Sequence, residues 1–359
     1  MSTPIRIGLL RLTDSAPVVV ARERGLFAAF NLNPSLSIEP SWANIADKLT
    51  YGLLDAAVML PPLALASVLG LRGPAVKLLV PMGLSQGGNT IVLGGETPPE
   101  EAGLPPGARL LAWLKRQPPR PRIAVVHKFS THNLLLRYWL SLTGVDPDRQ
   151  VETVVVPPEQ VVAALAGCRI SGFCAGAPWG MAAELAGAGM PLLGTSDIWP
   201  FHPEKCLAVR ESWALENPGS MTGLLRALMR AQMICDRPAE AAAVAALLAD
   251  PQGLGLPVAA ALAGLPGGGG YEQIHFHGAG AAYPAPPHAL WFLKQMRRWG
   301  WLDQDMDLGA VAETVYRPDL FSLAARTEDL FLPPGMTRDF SSNLPSDKPY
   351  AAQSTMNPF

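Results

Sequence analysis

Short strand-like runs alternate with helix-length apolar segments through the first 210 residues of the chain. The strand-like runs, rich in Val, Ile, Leu and Ala, fall at 5–10, 36–39, 56–59, 76–80, 91–93, 122–126, 151–156, 171–175, 191–193 and 206–209. Between them, apolar residues recur at helical spacing, which predicts helices at 16–29, 43–51, 61–70, 131–142, 158–166 and 178–188. This alternation is typical of parallel βαβ units with helices on both faces of a sheet.

Two such blocks and a helical return predict two α/β lobes. A Gly-rich connector at 86–90 separates the blocks, and the chain is mostly helical from about 217 to 325. Ligands of open α/β sheets bind at the carboxyl ends of strands, so we expect a ligand cleft between the lobes. The predicted parts are a first lobe from 1–88 and 213–335, a second lobe from 89–212, and an extended polar tail at 336–359.

Composition and charge exclude several classes of protein. Of 359 residues, 49% are hydrophobic and 16% charged, which is sufficient for a large buried core. The 28 basic and 30 acidic residues give a net charge of −2, without the basic field that direct nucleic-acid binding requires. The most apolar stretch, 53–71, is interrupted by Asp55, Pro61 and Pro62, and so we expect no membrane-spanning helix.

Cysteine and histidine spacing gives no sign of a metal, a disulfide or a catalytic triad. The four cysteines, at 168, 174, 206 and 235, form no Cys-x-x-Cys pair, which predicts buried thiols. His275 and His277 have no accompanying ligand cluster, so we expect neither a metal nor a cofactor. The chain opens directly on a strand-like run, without the regions of an export signal, and on that basis we expect a cytoplasmic protein.

Small polar residues follow the strand-like run at 122–126 and begin the next predicted helix. Ser130, Thr131 or Asn133 can cap this helix, while His132 adds a side-chain donor. The first turn of a helix has unpaired backbone N–H groups and the positive end of the dipole, which together favour an anion. A plain helix start remains the commoner interpretation of such a pattern.

Four other places could contribute to a site in the cleft. Trp42 follows a strand and offers an indole N–H, although most tryptophans serve packing. Gln86 and Asn89 flank two glycines and carry amide donors, and Lys205 enters a strand where the chain crosses between lobes, although most lysines face water. The segment 13–15 is expected to cap the following helix, and its place after the first strand would also put it at the cleft rim.

Segments along most of the chain together resemble the nitrate-binding protein family. This family includes the nitrate and bicarbonate receptors NrtA and CmpA and the cytoplasmic sensor NasS. The resemblance extends over about residues 5–320. It is carried by LTDSAPVVVARERGLF (12–27), SWANIADKLTYGLLDAAVMLPPLALA (41–66), FSTHNLLLRYWL (129–140), VVPPEQVVAAL (155–165), DIWPFHPEKCLAVRESW (197–213) and YPAPPHALWFLKQMRRWG (283–300).

The resemblance implies a type II periplasmic-binding-protein fold, in which two α/β lobes close on a ligand about a two-stranded hinge. It also implies the ligand-binding residues, which are Trp42, Asn89, Ser130, Thr131, His132 and Lys205. Asn89 stands where the family's nitrate receptors have Gln, which shortens its reach, and Ala177 stands where relatives often have Glu. The bicarbonate receptors carry an acidic residue at the lysine position to hold calcium, so Lys205 favours metal-free binding of nitrate or nitrite.

Combined with the missing export signal, the resemblance implies a non-enzymatic sensor similar to NasS. Its partner would be an RNA-binding antiterminator of the ANTAR type, similar to NasT, which the sensor sequesters and then releases when nitrate or nitrite binds. The alternative is the substrate-binding receptor of a nitrate or bicarbonate ABC transporter. An enzyme related to thiamine-pyrimidine synthesis is a third class, for which the chain offers no Cys-rich run.

Overall fold

Two mixed β-sheets with flanking helices form the protein, and the computed structural model describes residues 2–96, 98–326 and 344–345. The strands are β1 (Thr3–Leu9), β2 (Leu32–Ile38), β3 (Ala56–Met59), β4 (Leu78–Gly87), β5 (Asn89–Leu93), β6 (Arg122–Val125), β7 (Glu152–Val155), β8 (Gly172–Gly176), β9 (Met190–Gly194), β10 (Pro203–Arg210) and β11 (Ile274–His275). The helices are α1 (Ala16–Glu23), α2 (Trp42–Thr50), α3 (Pro61–Val68), α4 (Pro106–Arg116), α5 (Thr131–Leu142), α6 (Val161–Ala166), α7 (Trp179–Leu185), α8 (Glu211–Glu216), α9 (Pro218–Cys235), α10 (Ala241–Ala249), α11 (Val258–Ala263), α12 (Pro286–Arg298), α13 (Leu308–Val315) and α14 (Pro318–Arg326).

The first sheet has six strands in the order β11-β4-β10-β3-β1-β2. β1 pairs in parallel with β2 and β3, as the alternation of strands and helices predicts. β10 returns antiparallel between β3 and β4, and β11 is antiparallel to β4. Every residue of β3 is buried, which agrees with a strand covered by helices on both faces.

The second sheet has five strands in the order β7-β6-β8-β5-β9. β6 is parallel to β7 and β8, while β5 is antiparallel to β8 and β9. The predicted fold class, two α/β lobes of the periplasmic-binding-protein type, is therefore confirmed.

The chain passes between the sheets twice. The first crossing differs from the prediction in its local structure, and the second differs in its position. The Gly-rich stretch at 86–90 is not a loop, because β4 continues to Gly87 and β5 starts at Asn89. Gly87 and Gly88 have φ angles of 69° and 81°, a region open to glycine, and these angles turn the strand. On the return, β10 pairs in the first sheet, so 203–210 lie with the first lobe and not within a second lobe of 89–212. The apolar run at 206–209 predicts a strand, but it does not indicate which strands this strand pairs with.

One predicted helix differs in its end, and one helix was not predicted. α1 ends at Glu23 and not at 29, because the chain turns at Gly25 with a φ of 69°. α4 lies just after the Pro-rich stretch and was not predicted. The predicted tail at 336–359 lies outside the described residues except for Leu344 and Pro345, whose carbonyl accepts a hydrogen bond from the Trp291 indole at 3.2 Å.

The helical return packs on the first sheet. α9 lies against α1, and the Gln232 side chain in α9 donates to the backbone carbonyls of Gly83 and Leu84 in β4 at 3.0 and 3.2 Å. These bonds fix the helical return beside the strand that leads into the second lobe. In the described parts of the chain, no helix combines the length and apolar character required to cross a membrane.

Candidate functional site

A buried polar cluster lies where the two lobes meet, and we call it the cleft cluster. Its residues lie after β1, at the starts of α2 and α5, in β4, β5, β8 and β10, and between β9 and β10. Because these elements come from both sheets, the cluster closes the gap between the lobes. Its members, all buried, are Asp14, Trp42, Ser85, Asn89, Thr131, His132, Gly176, Thr195, His202, Glu204 and Lys205.

The Lys205 ammonium is the centre of this cluster. Its Nζ lies 2.6 Å from Glu204 Oε1, 3.0 Å from Asp14 Oδ2 and 5.7 Å from the centre of a Trp42 ring. The sequence predicts a fixed positive charge directed into the cleft. The structure places the charge there, but two carboxylates already compensate it.

Neighbouring residues of β10 both direct polar groups to the cluster because the strand is irregular. The register with β4 shifts on either side of Lys205, between Pro203 and Lys205 and again between Lys205 and Cys206. Such a bulge re-aims side chains that would otherwise alternate between faces. Glu204 and Lys205 can therefore form an ion pair with each other.

His132 connects the second lobe to this ion pair. Its Nδ1 lies 3.2 Å from Glu204 Oε1, and its Nε2 accepts a long hydrogen bond from the Val126 backbone N–H at 3.5 Å. Nearby, His202 Nε2 lies 2.7 Å from Thr195 Oγ1. Hydrogen bonds thus join α5 to β10, while His202 Nδ1 lies 3.9 Å from Glu204 Oε2, too far for a hydrogen bond.

The electrostatics of the cluster are dominated by burial and by one buried cation. Burial alone would raise the pKa of Glu204, but the Lys205 ammonium and the His132 bond lower it to about 2. The pKa of Asp14 is raised, because burial and the Glu204 charge outweigh Lys205. Burial would lower the pKa of Lys205, but the two neighbouring carboxylates outweigh burial and raise it. Burial lowers the pKa of His202 to about 4.

The polar residues at the start of α5 have two different roles: one caps the helix, and another faces the cleft cluster. Ser130 is the N-cap: its hydroxyl accepts from the Asn133 N–H at 3.2 Å and donates to the His127 carbonyl at 2.8 Å. The Thr131 hydroxyl is buried and has no partner in the described part of the chain. Ser130 therefore serves the helix in this structure, and its predicted contact with a ligand stays a prediction.

Three buried donors in the cleft cluster have no partner among the described residues. They are Trp42 Nε1, Asn89 Nδ2 and Thr131 Oγ1. A buried polar group without a partner costs about 1–3 kcal/mol, so such groups indicate a place for a ligand. Gly176 allows close approach here, since a Cβ added to it would lie 3.3 Å from both Asn89 Oδ1 and Asp14 Oδ2.

The sequence prediction missed two acidic members of the cluster. The segment 13–15 is not a side-chain cap, because α1 has no side-chain cap bond; instead, Asp14 Oδ1 accepts from the Ser85 hydroxyl at 2.7 Å. The position of Asp14 after the first strand was the sequence signal that could have placed it in the cleft. Glu204 was passed over because the resemblance implies a ligand contact only for its neighbour Lys205. No group of three or more His, Cys, Asp or Glu side chains in the described ranges could hold a metal.

A partly buried carboxylate, Glu272, lies beside the first crossing. Its Oε1 accepts from the Gly88 backbone N–H at 2.9 Å and from the Ser196 hydroxyl at 2.7 Å. Burial raises the pKa of Glu272 to about 7, against the opposing effect of these hydrogen bonds. This residue joins the helical return to both crossings, and nothing in the sequence pattern indicated it.

Two α/β lobes enclosing a polar cluster define a two-lobed binding protein of the periplasmic-binding-protein type. The crystal structure of the periplasmic nitrate-binding protein NrtA from Synechocystis superposes with a TM-score of 0.86 and 28% identity, over 94% of this chain and 92% of that one. The aliphatic sulphonate-binding protein SsuA from Escherichia coli shares the fold at a TM-score of 0.62 and 16% identity, over 86% and 91% of the two chains.

The chain belongs to the NMT1-like family, whose model matches residues 1–249. It is 32% identical over 343 residues to the nitrate/nitrite binding protein NrtA from Synechococcus elongatus, covering 90% of this chain and 77% of that protein. It is also 34% identical over 333 residues to the nitrate import ATP-binding protein NrtC from Synechocystis, and 36% identical over 327 residues to the bicarbonate transport ATP-binding protein CmpC from Synechococcus elongatus. These matches cover 89% and 90% of this chain, which spans about half, 49%, of each of these two relatives. The NrtA relatives are binding proteins, which fits the expected absence of enzymatic activity.

Proposed function

We propose that the protein binds nitrate or nitrite between its lobes, as the substrate-binding component of an ABC-type transport system. The observation that carries the proposal is the set of buried donors without a partner: Trp42 Nε1, Asn89 Nδ2 and Thr131 Oγ1. The likeness to NrtA proteins over about 90% of the chain supports the same ligand class.

Nitrate and nitrite suit these donors because both are flat anions whose oxygens only accept hydrogen bonds. The indole, amide and hydroxyl groups supply side-chain donors, and the first turn of α5 adds its dipole. Lys205 lies within 5.7 Å of the Trp42 ring and supplies the cation of the site. Hydrogen bonds to a charged ligand contribute about 1.5–3 kcal/mol each, so a few such donors suffice for specific binding.

Bicarbonate is the competing ligand, because one group of relatives is named for bicarbonate transport. Unlike nitrate, bicarbonate carries a hydroxyl that could donate to Asp14 or Glu204. Against it, the ammonium of Lys205 occupies the region between these two carboxylates, where it would repel a calcium ion. We therefore favour nitrate and nitrite.

Calorimetry and thermal unfolding of the pure protein test the assignment. Nitrate or nitrite at 100 times its dissociation constant is expected to stabilise the fold by about 2.7 kcal/mol, while chloride is not. Thr131→Val is expected to weaken nitrate binding. Thr143→Val is the matched control, because the Thr143 hydroxyl bonds to the Leu140 carbonyl at the other end of α5. Binding of bicarbonate with calcium, without a response to nitrate, would reassign the ligand.

The finer expectation, a cytoplasmic sensor that sequesters an ANTAR-type antiterminator, is a second proposal. The relatives reported above are named for binding, import or transport, so the receptor role is better supported. Mixing the protein with such an antiterminator and measuring their co-elution separates the two proposals. A complex that nitrate dissociates would favour the sensor, whereas two separate elution peaks, with and without nitrate, would favour the receptor.

A further inference from the structure

The cleft cluster contains more acid than base. Asp14 and Glu204 share the single ammonium of Lys205, at 3.0 and 2.6 Å, and all three side chains are at most 1% exposed. His202 adds no charge above mildly acidic pH, because burial lowers its pKa to about 4. An anion placed beside this cluster would add a further negative charge to a water-poor interior, where uncompensated charge is strongly unfavourable.

His132 is placed to supply the missing positive charge. Glu204 Oε1 lies 3.2 Å from Nδ1 and accepts its proton, which leaves Nε2 as the acceptor of the Val126 N–H at 3.5 Å in the neutral ring. If Nε2 gains a proton, two donors face each other and the long bond to Val126 is lost. The new N–H then requires an acceptor, which an oxyanion beside Thr131 would provide.

We propose that the protein takes up one proton together with its anion, and that His132 Nε2 carries this proton. The inference rests on the proposed function of the cleft, and its ligand class is a monovalent oxyanion. In this step a solvent proton binds to Nε2, the Val126 N–H is released from Nε2, and the new N–H donates to an anion oxygen. Nδ1–H keeps its bond to Glu204, and no covalent bond other than N–H changes.

The groups that surround His132 are consistent with this assignment. Glu204 stays ionised, since its pKa is about 2, and it can therefore serve as the counter-ion of the imidazolium. Asp14 is a competing acceptor of the proton, because burial raises its pKa. The titratable and charged groups that face the cluster from the described elements packed on it are Asp14, His127, Cys174, His202, Glu204, Lys205, Cys206 and His288.

Calorimetry with sodium nitrate tests the inference on the unmodified protein. The titrations are run at pH 8.5 in two buffers that differ in enthalpy of ionisation. If about one proton is taken up per anion, the observed binding enthalpies should differ by about the difference between the two ionisation enthalpies. The affinity for nitrate is expected to fall about tenfold per pH unit at the alkaline end of a series from pH 6 to 9. Equal enthalpies in both buffers and a flat affinity profile would overturn the inference and leave the proposed function intact. Absence of nitrate binding would overturn both.

Two variants locate the proton. His132→Gln keeps a side-chain donor but cannot titrate, so it is expected to bind nitrate more weakly and without proton uptake. His277→Gln is the matched control, because His277 is half-buried beside the Asp236 carboxylate and lies outside the cleft cluster. Proton uptake that persists in His132→Gln and disappears in Asp14→Asn would assign the proton to Asp14 and overturn the role of His132.

Discussion

Glu204 is buried and Glu272 is partly buried between the lobes, and their pKa values are shifted in opposite directions from the ordinary value of 4.5. The pKa of Glu204 is about 2 and that of Glu272 is about 7. Burial raises both, but Glu204 has the Lys205 ammonium at 2.6 Å, whereas Glu272 has only the neutral donors Gly88 and Ser196. The nearby ammonium therefore outweighs burial at Glu204, whereas neutral hydrogen bonds do not outweigh it at Glu272.

Replacing Lys205 should have the largest effect, because its ammonium distinguishes Glu204 from Glu272. Lys205→Met leaves Asp14 and Glu204 buried without compensation, so we expect a loss of about 3–5 kcal/mol in the free energy of unfolding and loss of nitrate binding. Denaturant unfolding at pH 7 measures the first effect. The matched control is Lys77→Met, because Lys77 lies 3.6 Å from Glu211 and its side chain is 87% exposed, so its loss should cost at most about 1 kcal/mol. Equal losses in both variants would show that the buried cation has no special role.

The pH dependence of stability should separate the two glutamates. The folded pKa of Glu204 lies below its ordinary value of 4.5, so its contribution is present above pH 4.5 and is lost as the pH falls towards 2. The folded pKa of Glu272 lies above 4.5, so its contribution is present below pH 4.5 and is lost as the pH rises through about 7.

Glu272→Gln should remove the second of these dependences. Because Gln does not ionise and can still accept from Gly88, the variant should gain about 2–3 kcal/mol relative to the wild type between pH 4.5 and pH 8. Unfolding free energies at both pH values measure the gain. A constant difference between variant and wild type would contradict the raised pKa of Glu272. Glu240→Gln is the control, since Glu240 pairs with Arg24 on an exposed surface.

The smallest expected effect concerns a neutral donor of the cleft. Trp42→Phe removes an indole N–H that has no partner among the described residues, so nitrate binding should weaken about tenfold. The stability of the anion-free protein should change little, because removal of the unpaired N–H offsets the cavity left by the smaller ring. Trp113→Phe is the matched control, because the Trp113 indole donates to the Gly94 carbonyl at 3.0 Å, so stability should fall without a change in binding. Unaltered affinity in Trp42→Phe would remove Trp42 from the ligand site.

Local pattern predicted the elements well and the cluster only in part. The sequence places α5 at 131–142 and β3 at 56–59, as the structure does, because a Ser130 cap and short apolar runs are local signals. The structure also brings Trp42 and His132 to Lys205. Their contacts with a ligand stay predictions.

What the sequence could not indicate is how distant residues meet. Asp14 bonds to Ser85, 71 residues away, and the place of β10 between β3 and β4 decides which groups Lys205 contacts. Strand order across a sheet depends on the whole fold, so no local pattern carries it. The same reason explains why 203–210 were assigned to the wrong lobe.

The two crossings between the lobes differ greatly in length. Gly88 alone separates β4 from β5, whereas residues 195–202 separate β9 from β10. A one-residue link has no slack, so the axis of any rotation between the lobes must pass close to Gly88. Atoms far from this axis travel furthest, while the bond from Gly88 to Glu272 has almost no lever arm. Because the resistance of a contact to rotation grows with its distance from the axis, this bond opposes rotation of the lobes only weakly and can persist while they move.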